Sequence, residues 1–207
     1  MSLMNNRQIR RVLVLAAAVM LTVAAQAQEV ALKTNLLYAA TTTPNLGIEI
    51  GLGKKMTGQV FYGINPWTFN GSNDVDRKVK HWLVMPELRW WSCTKMNGWF
   101  FGVHAMGGQF NAGNVDLPLP GTFFKGDNLK TMVKDTRVEG KYLGGGLTVG
   151  YQWILSRHWN LEAELGAGYD HVWYDQYPCS ECGTKISKGE TNYVGLTKAG
   201  LSFLYIF

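Results

Sequence analysis

Charge is what this chain has least of. Only 17% of its 207 residues are Asp, Glu, Lys or Arg, against about 25% in an ordinary soluble domain. That shortage, beside 13% aromatic residues, excludes a disordered chain, which is rich in charge and poor in aromatics. It also excludes a coiled coil, built largely from Ala, Glu, Lys and Leu. No Gly-Lys-Ser/Thr follows a glycine-rich turn, so no phosphate loop is present. No His-x-Ser pair exists to place a base and a nucleophile on one face of a strand. His81, His104, His158 and His171 are followed two residues later by Leu83, Met106, Asn160 and Trp173. Glycine, by contrast, is abundant at 24 residues. A mean hydropathy of -0.08 is too polar for a bundle of membrane helices. It fits a membrane β-barrel, in which only alternate residues face lipid. The length suits a single domain.

Only one long apolar run exists. Arg7, Arg10 and Arg11 precede it, Val12 to Ala25 form it, and Ala25-Gln26-Ala27 ends it. A basic region, a short apolar stretch and an A-x-A site define a secretory signal peptide. The run falls short of the ~20 residues a membrane helix needs. Residues 1–27 are therefore expected to be a leader, and residues 28–207 the exported domain. The formal charge of +5 drops accordingly. Removing three of the 20 basic residues leaves 17 against 15 acidic ones, or +2. A nucleic-acid partner loses its support with them.

The exported part has period two. Leu46, Ile48, Ile50 and Leu52 alternate with Gly47, Glu49 and Gly51; Leu161, Ala163, Leu165, Ala167 and Tyr169 alternate with Glu162, Glu164, Gly166, Gly168 and Asp170. This is strand periodicity. Eight strands are expected, over about 31–40, 45–54, 58–69, 80–92, 98–110, 140–154, 159–173 and 191–207, with ends good to about ±2–4 residues. Short connections (54–57, 92–97, 156–158) alternate with long polar ones (70–79, 111–139, 174–190), as in outer-membrane barrels. The short link 41–44 breaks that rule. Aromatics mark strand ends: Phe61, Trp67, Trp82, Trp90, Trp91, Trp99, Phe101, Tyr142, Tyr151, Trp153, Trp159, Trp173, Tyr193, Tyr205 and Phe207. Two belts of such rings lie at headgroup level in membrane barrels.

The opposite face carries too much charge for the ligand cavity of a soluble barrel. The fold expected is therefore all-β, an eight-stranded antiparallel up-and-down transmembrane β-barrel of outer-membrane type. Eight strands leave a lumen that side chains fill. Lys33, Glu49, Glu87, Arg89, Glu162, Glu164 and Lys198 are expected to form its polar network, because unpaired charges there are costly. Gly107-Gly108, Gly144-Gly145-Gly146, Gly166 and Gly168 leave room for opposing bulky side chains. Pro66 and Pro86 each remove a ladder hydrogen bond, so an irregularity is expected at each. Leu201, Phe203, Tyr205 and Phe207 alternate to a terminal phenylalanine. That ending resembles the strand by which outer-membrane proteins are recognised for assembly, with Phe203, Tyr205 and Phe207 as its signal.

Cys179 and Cys182 sit in the last long loop as Cys-Ser-Glu-Cys-Gly. In an oxidising compartment a short disulfide is the leading reading. A zinc half-site, with Cys93 or His171 as extra ligands, and a redox pair are the alternatives. Cys93 lies in a turn at the other end, about 25 Å away across a membrane, beyond the reach of a disulfide. Asp170-His171 is the nearest thing to a catalytic pair, but adjacent strand residues point to opposite faces.

These residues also resemble a known family. Ala31-Leu32-Lys33-Thr34-Asn35-Leu36-Leu37-Tyr38, Thr43-Pro44-Asn45-Leu46-Gly47, Asn65-Pro66-Trp67, Lys80-His81-Trp82-Leu83, Gly150-Tyr151-Gln152-Trp153-Ile154-Leu155, His158-Trp159-Asn160-Leu161-Glu162 and the 179–183 segment are similar to domain of unknown function 3575. That family comprises small outer-membrane proteins of Gram-negative bacteria. The resemblance spans 30–207 and implies the barrel and its compartment, but supplies no activity. The loop cysteine pair belongs to the family's pattern, which favours a structural or binding role there. The expectation is a monomeric, non-enzymatic barrel without cofactor or metal. It would act through external loops in binding, adhesion or envelope integrity. Its partners would be outer-membrane lipid, lipopolysaccharide, the barrel-assembly machinery and an external ligand. Segment 111–139, with Asp116, Lys125, Asp127, Lys130, Lys134, Asp135 and Arg137, is the foremost candidate surface. A lipid-modifying hydrolase or acyltransferase at the rim, and a narrow channel, are the other two readings.

Overall fold

A computed structural model describes residues 29–69, 77–113, 121–124, 133, 136–178 and 185–207. The leader, the cysteine pair Cys179/Cys182 and most of segment 111–139 lie outside these residues. The elements are β1 (Val30–Asn35), α1 (Leu36–Ala40), β2 (Asn45–Gly51), β3 (Met56–Asn65), β4 (Thr68–Phe69), β5 (Arg77–Trp91), β6 (Gly98–Gly113), β7 (Gly121–Phe124), β8 (Arg137–Ile154), β9 (Trp159–Tyr177) and β10 (Ser187–Ile206).

All described strand pairs are antiparallel. Neighbours run β1-β2-β3-β5-β6-β8-β9-β10, and β10 pairs back with β1, so eight strands form a closed ring. β4 pairs with β5, and β7 adds to the free edge of β10. The period-two pattern is realised directly: every second residue is buried from Thr57 to Asn65 and from Phe100 to Gly108. Strong twist and closure leave one face inside and one outside, so a side chain's parity decides its environment.

The expected first strand is cut short. Asn35 takes extended backbone angles and its side chain accepts the Leu37 N–H at 3.0 Å, capping a single helical turn. Leu36-Leu37-Tyr38-Ala39-Ala40 holds no β-branched residue, and Leu and Ala favour helix. The Thr41-Thr42-Thr43-Pro44 link ends the turn, because a residue before proline avoids helical angles. Asn45 then replaces the lost ladder: its side chain accepts from the Asn35 N–H at 2.7 Å and donates to the Asn35 carbonyl at 3.1 Å. The short link at 41–44 thus follows from the chain leaving the wall one turn early.

Two further departures have local causes. Pro86 interrupts the β5–β6 ladder between Val84↔Gly107 and Glu87↔His104 without shifting the register, while Val60↔Pro86 stays paired on the other side. Pro66 lies just past the end of β3. On β10 the register against β9 shifts between Leu196 and Lys198. That bulge inverts the parity of the strand. Above it Tyr193 points inward, and below it Lys198, Ser202 and Leu204 do.

Tyr193 is therefore not a belt residue, as its spacing implied. Phe61 and Trp91 are likewise buried inside, and Tyr142 packs against the interior clusters. Trp67, Trp82, Trp90, Trp99, Phe101, Trp153, Trp159 and Phe207 stay on the outer surface.

The interior is layered. Ala31, Trp91, Met96, Phe100 and Leu204 cluster at the end with the short turns. Charged residues fill the middle. Phe61, Leu83, Met85 and Met106 lie above them, and Ala112, Val133, Val138, Val172 and Tyr174 form the far end.

Candidate functional site

The seven charged residues expected inside do meet there, drawn from five strands. Arg89 is the hub. Its Nη1 donates to Glu49 Oε2 at 3.0 Å and Glu162 Oε2 at 2.8 Å; its Nη2 donates to Glu164 Oε2 at 2.6 Å and Glu87 Oε2 at 3.3 Å. The guanidinium carbon lies 4.3 Å from the centre of the Phe100 ring, a cation–π contact between two fully buried partners, the setting in which such contacts are strongest. Lys33 Nζ donates to Glu162 Oε1 at 2.7 Å and sits 3.7 Å from Glu49. Lys198 Nζ pairs with Glu164 at 2.9 Å and also with Glu87.

Neutral donors complete the cluster. Thr57 donates to Glu49 Oε1 at 2.6 Å and itself accepts from Trp91 Nε1 at 2.9 Å. Gln59 donates to Glu87. His104 bridges Thr148 and Thr197 hydroxyls at 2.8 and 3.0 Å. The small wall residues are part of the design. A Cβ at Gly102 would collide with Glu87, one at Gly150 with Phe100, and one at Gly47 with Lys33.

Four carboxylates face three cations in this cluster, so its formal charge is -1. Such a cluster, buried and cross-linked between strands, fills the middle of the ring. A planar guanidinium that satisfies four carboxylates at once is a task for arginine, not lysine.

Above the cluster lies a cavity of about 470 Å³. Leu83, Met106, Phe110, Ala112, Phe123 and Val172 make its walls, while Asp170, Thr197 and Lys198 supply polar groups. Asp170 Oδ1 has no hydrogen-bond partner among the described atoms. At the far rim a wider cleft of about 890 Å³ carries Lys80, Lys141 and Lys188 beside Trp82 and Trp173. Lys141 Nζ sits 5.5 Å from the Trp173 ring centre.

Other sequence-level candidates separate in space. Asp170 is buried inside, whereas its neighbour His171 meets Asn192 Oδ1 at 2.6 Å and Glu190 at 3.6 Å on the other face. They form no dyad. Cys93 is a free, exposed thiol in the β5–β6 turn, remote from His171 high on β9. The terminal segment closes the ring: Phe203 and Tyr205 lie opposite Thr34 and Leu32 of β1, and Tyr205 stacks on His158 and meets Trp159 and Phe207 edge-on. Gln152 and Thr148, also buried inside, had shared the inward parity but carried no charge to mark them.

The fold and its centre define a class: a closed antiparallel ring with an ionic core and an apolar exterior. The chain belongs to the family described as protein of unknown function DUF3575, whose sequence profile matches residues 12–207. No curated protein matches it.

Proposed function

We propose that the ring is an outer-membrane β-barrel, closed to ion flow, that acts at its outer end through its loops in surface binding or in bracing the envelope. One observation carries this reading: the two faces are inverted relative to a soluble protein. Outside are Ile48, Val60, Leu88, Val103, Leu143, Leu147 and Leu165, all exposed, while eight charged residues are buried within. Exposed apolar surface on that scale needs a partner, and a continuous ring of it needs lipid. On β5 the outer face runs Trp82, Val84, Pro86, Leu88, Trp90. Rings thus stand eight residue steps apart, about 27 Å along the strand, and a tilted strand brings that span to the thickness of an outer-membrane apolar band.

The ionic core argues against a channel. Ions crossing it would have to break ion pairs that are fully or almost fully buried, which is costly. The rim lysines Lys80, Lys141 and Lys188 beside Trp82 and Trp173 suit the phosphates of lipopolysaccharide, an expected partner. Two measurements test the reading. Purified protein in a planar bilayer should give no discrete conductance steps; such steps would make it a channel. Protease added to whole cells should cut within 111–139 and 174–190 and spare the turns; cleavage only after lysis would make it a periplasmic protein.

A further inference from the structure

The cavity above the ionic core has a door in the wall. β1 pairs with β10 only from Ala31↔Ile206 to Asn35↔Ser202. β7 covers β10 again at Asn192 to Gly195. Between these stretches no strand among the described residues pairs with that edge of β10, and α1 packs there instead. Leu37 of α1 and Leu196 of β10 line the cavity and are also exposed on the outer surface. Leu37 and Ala199 further line an apolar groove on the outer wall, with Val149, Trp153 and Leu165. Groove and cavity therefore meet at the seam.

The cavity's two ends differ. Just above the uncovered stretch, opposite Tyr193 of β10, lies Asp170, 6% exposed, with an oxygen that has no hydrogen-bond partner among the described atoms. Met106 stands level with it, and higher up the lining is mostly apolar, with Leu83, Phe110, Val172 and Ala112 beside Tyr142 and His81. Gly144, beside Asp170, and Val138, beside Ala112, are six residue steps apart on β8, about 20 Å. Among the described buried residues, five carboxylates stand against three cations. Lys198, which also lines this floor, is already held by Glu87 and Glu164, so a second anion is unwelcome there and Asp170 is left with an oxygen open to a donor.

We propose that this cavity holds one alkyl chain of a single-chain amphiphile, entered sideways past α1, with a donor head of the ammonium type on Asp170. A pocket of this volume, apolar with a few placed polar groups, has the usual anatomy of a small-ligand site. The tail lies along Met106, Leu83 and Val172. The head stays at the door, where Asp170 accepts its hydrogen bond. Among the described residues α1 is the element that closes the seam, so no strand pairing need break. The inference rests on the membrane reading for its route of entry.

The test uses the full chain in lipid nanodiscs, with tetradecylamine as probe and tetradecanoate and butylamine as controls, read by native mass spectrometry. Incorporation into nanodiscs is scored first; failure there sinks the membrane reading, not the cavity. One tetradecylamine should be retained per chain, preferred about tenfold or more over tetradecanoate. Asp170→Asn should shrink that preference while the tail still binds. Val172→Phe and Ala112→Phe, made separately, fill the tail site from different strands and should abolish retention in barrels that still migrate as folded on cold SDS gels. Equal retention of amine and acid, unsaturable uptake of many copies, or retention unaffected by both filling variants would overturn the proposal.

Discussion

Removing the hub of the ionic core is the most informative single change. In Arg89→Met the unbranched stem of the side chain is kept and the guanidinium, with its charge, is lost. Four contacts of 2.6 to 3.3 Å disappear together. Lys33 and Lys198 are left against four carboxylates, so the formal charge of the cluster goes from -1 to -2. Deleting one member of a buried ion pair costs about 3–5 kcal/mol, because its partner remains buried and uncompensated. Arg89 leaves four partners, so that range is a lower expectation. It corresponds to two to four orders of magnitude in the folding equilibrium, at about 1.4 kcal/mol per decade. Urea unfolding in phosphatidylcholine vesicles, followed by tryptophan fluorescence, measures it. Adding Glu162→Gln restores the charge to -1 and should recover part of the loss, with a coupling of about 0.5–3 kcal/mol. An Arg89→Met protein within about 0.5 kcal/mol of wild type, the range of inert surface changes, would refute the claim that the core is held by this network.

Three further outcomes are expected. In vesicles of brominated lipid, a variant retaining only Trp90 should be strongly quenched and one retaining only Trp91 hardly at all, since the first is exposed outside and the second buried within; equal quenching would contradict the assignment of faces. Gly102→Ala drives a methyl into Glu87 and should cost about 1–3 kcal/mol, whereas Gly53→Ala meets nothing within 4 Å and should stay within about 0.5 kcal/mol; matched losses in urea unfolding would show that the close fit at Gly102 is unimportant. Phe207→Ser should slow assembly in cells while leaving the refolded protein within about 0.5 kcal/mol of wild type, because Phe207 is largely exposed; normal assembly kinetics in pulse-chase would remove it from the assembly signal.

Much of the site was legible because charge on a strand carries parity with it. Glu87 and Arg89, or Glu162 and Glu164, are two apart and must share a face, and unpaired burial of either set is prohibitive. Any closed ring with those faces inward brings them together. Asp170 had the same parity as Glu162 and Glu164, but its role was hidden. Whether it joins the network depends on its height: it sits level with Met106 and Gly144, above the cations. The belt was legible only in part. Tyr142 shares its inward face with Thr148 and Gln152, and Phe61 shares its face with Thr57 and Gln59. An aromatic near a strand end serves a belt or a core equally well, and spacing alone does not separate them.

Period two, the scarcity of charge and its confinement to alternate positions were enough by themselves to determine a strand-built wall with one apolar and one polar face. Those properties are local, set by the pleat of a single strand. Only the closed ring decided who meets whom. Lys33 reaches Glu162 across 129 residues of sequence, and Lys198 reaches Glu87 across 111, contacts no local pattern encodes. The bulge at Leu196 to Lys198 was equally a product of closure: one extra residue on β10 turns Tyr193 inward above it and keeps Lys198 on the cluster below. The helical turn at Leu36–Ala40 replaced a strand because Asn35 caps it and Asn45 takes over the lost backbone bonds, and with that exchange the wall acquired its seam.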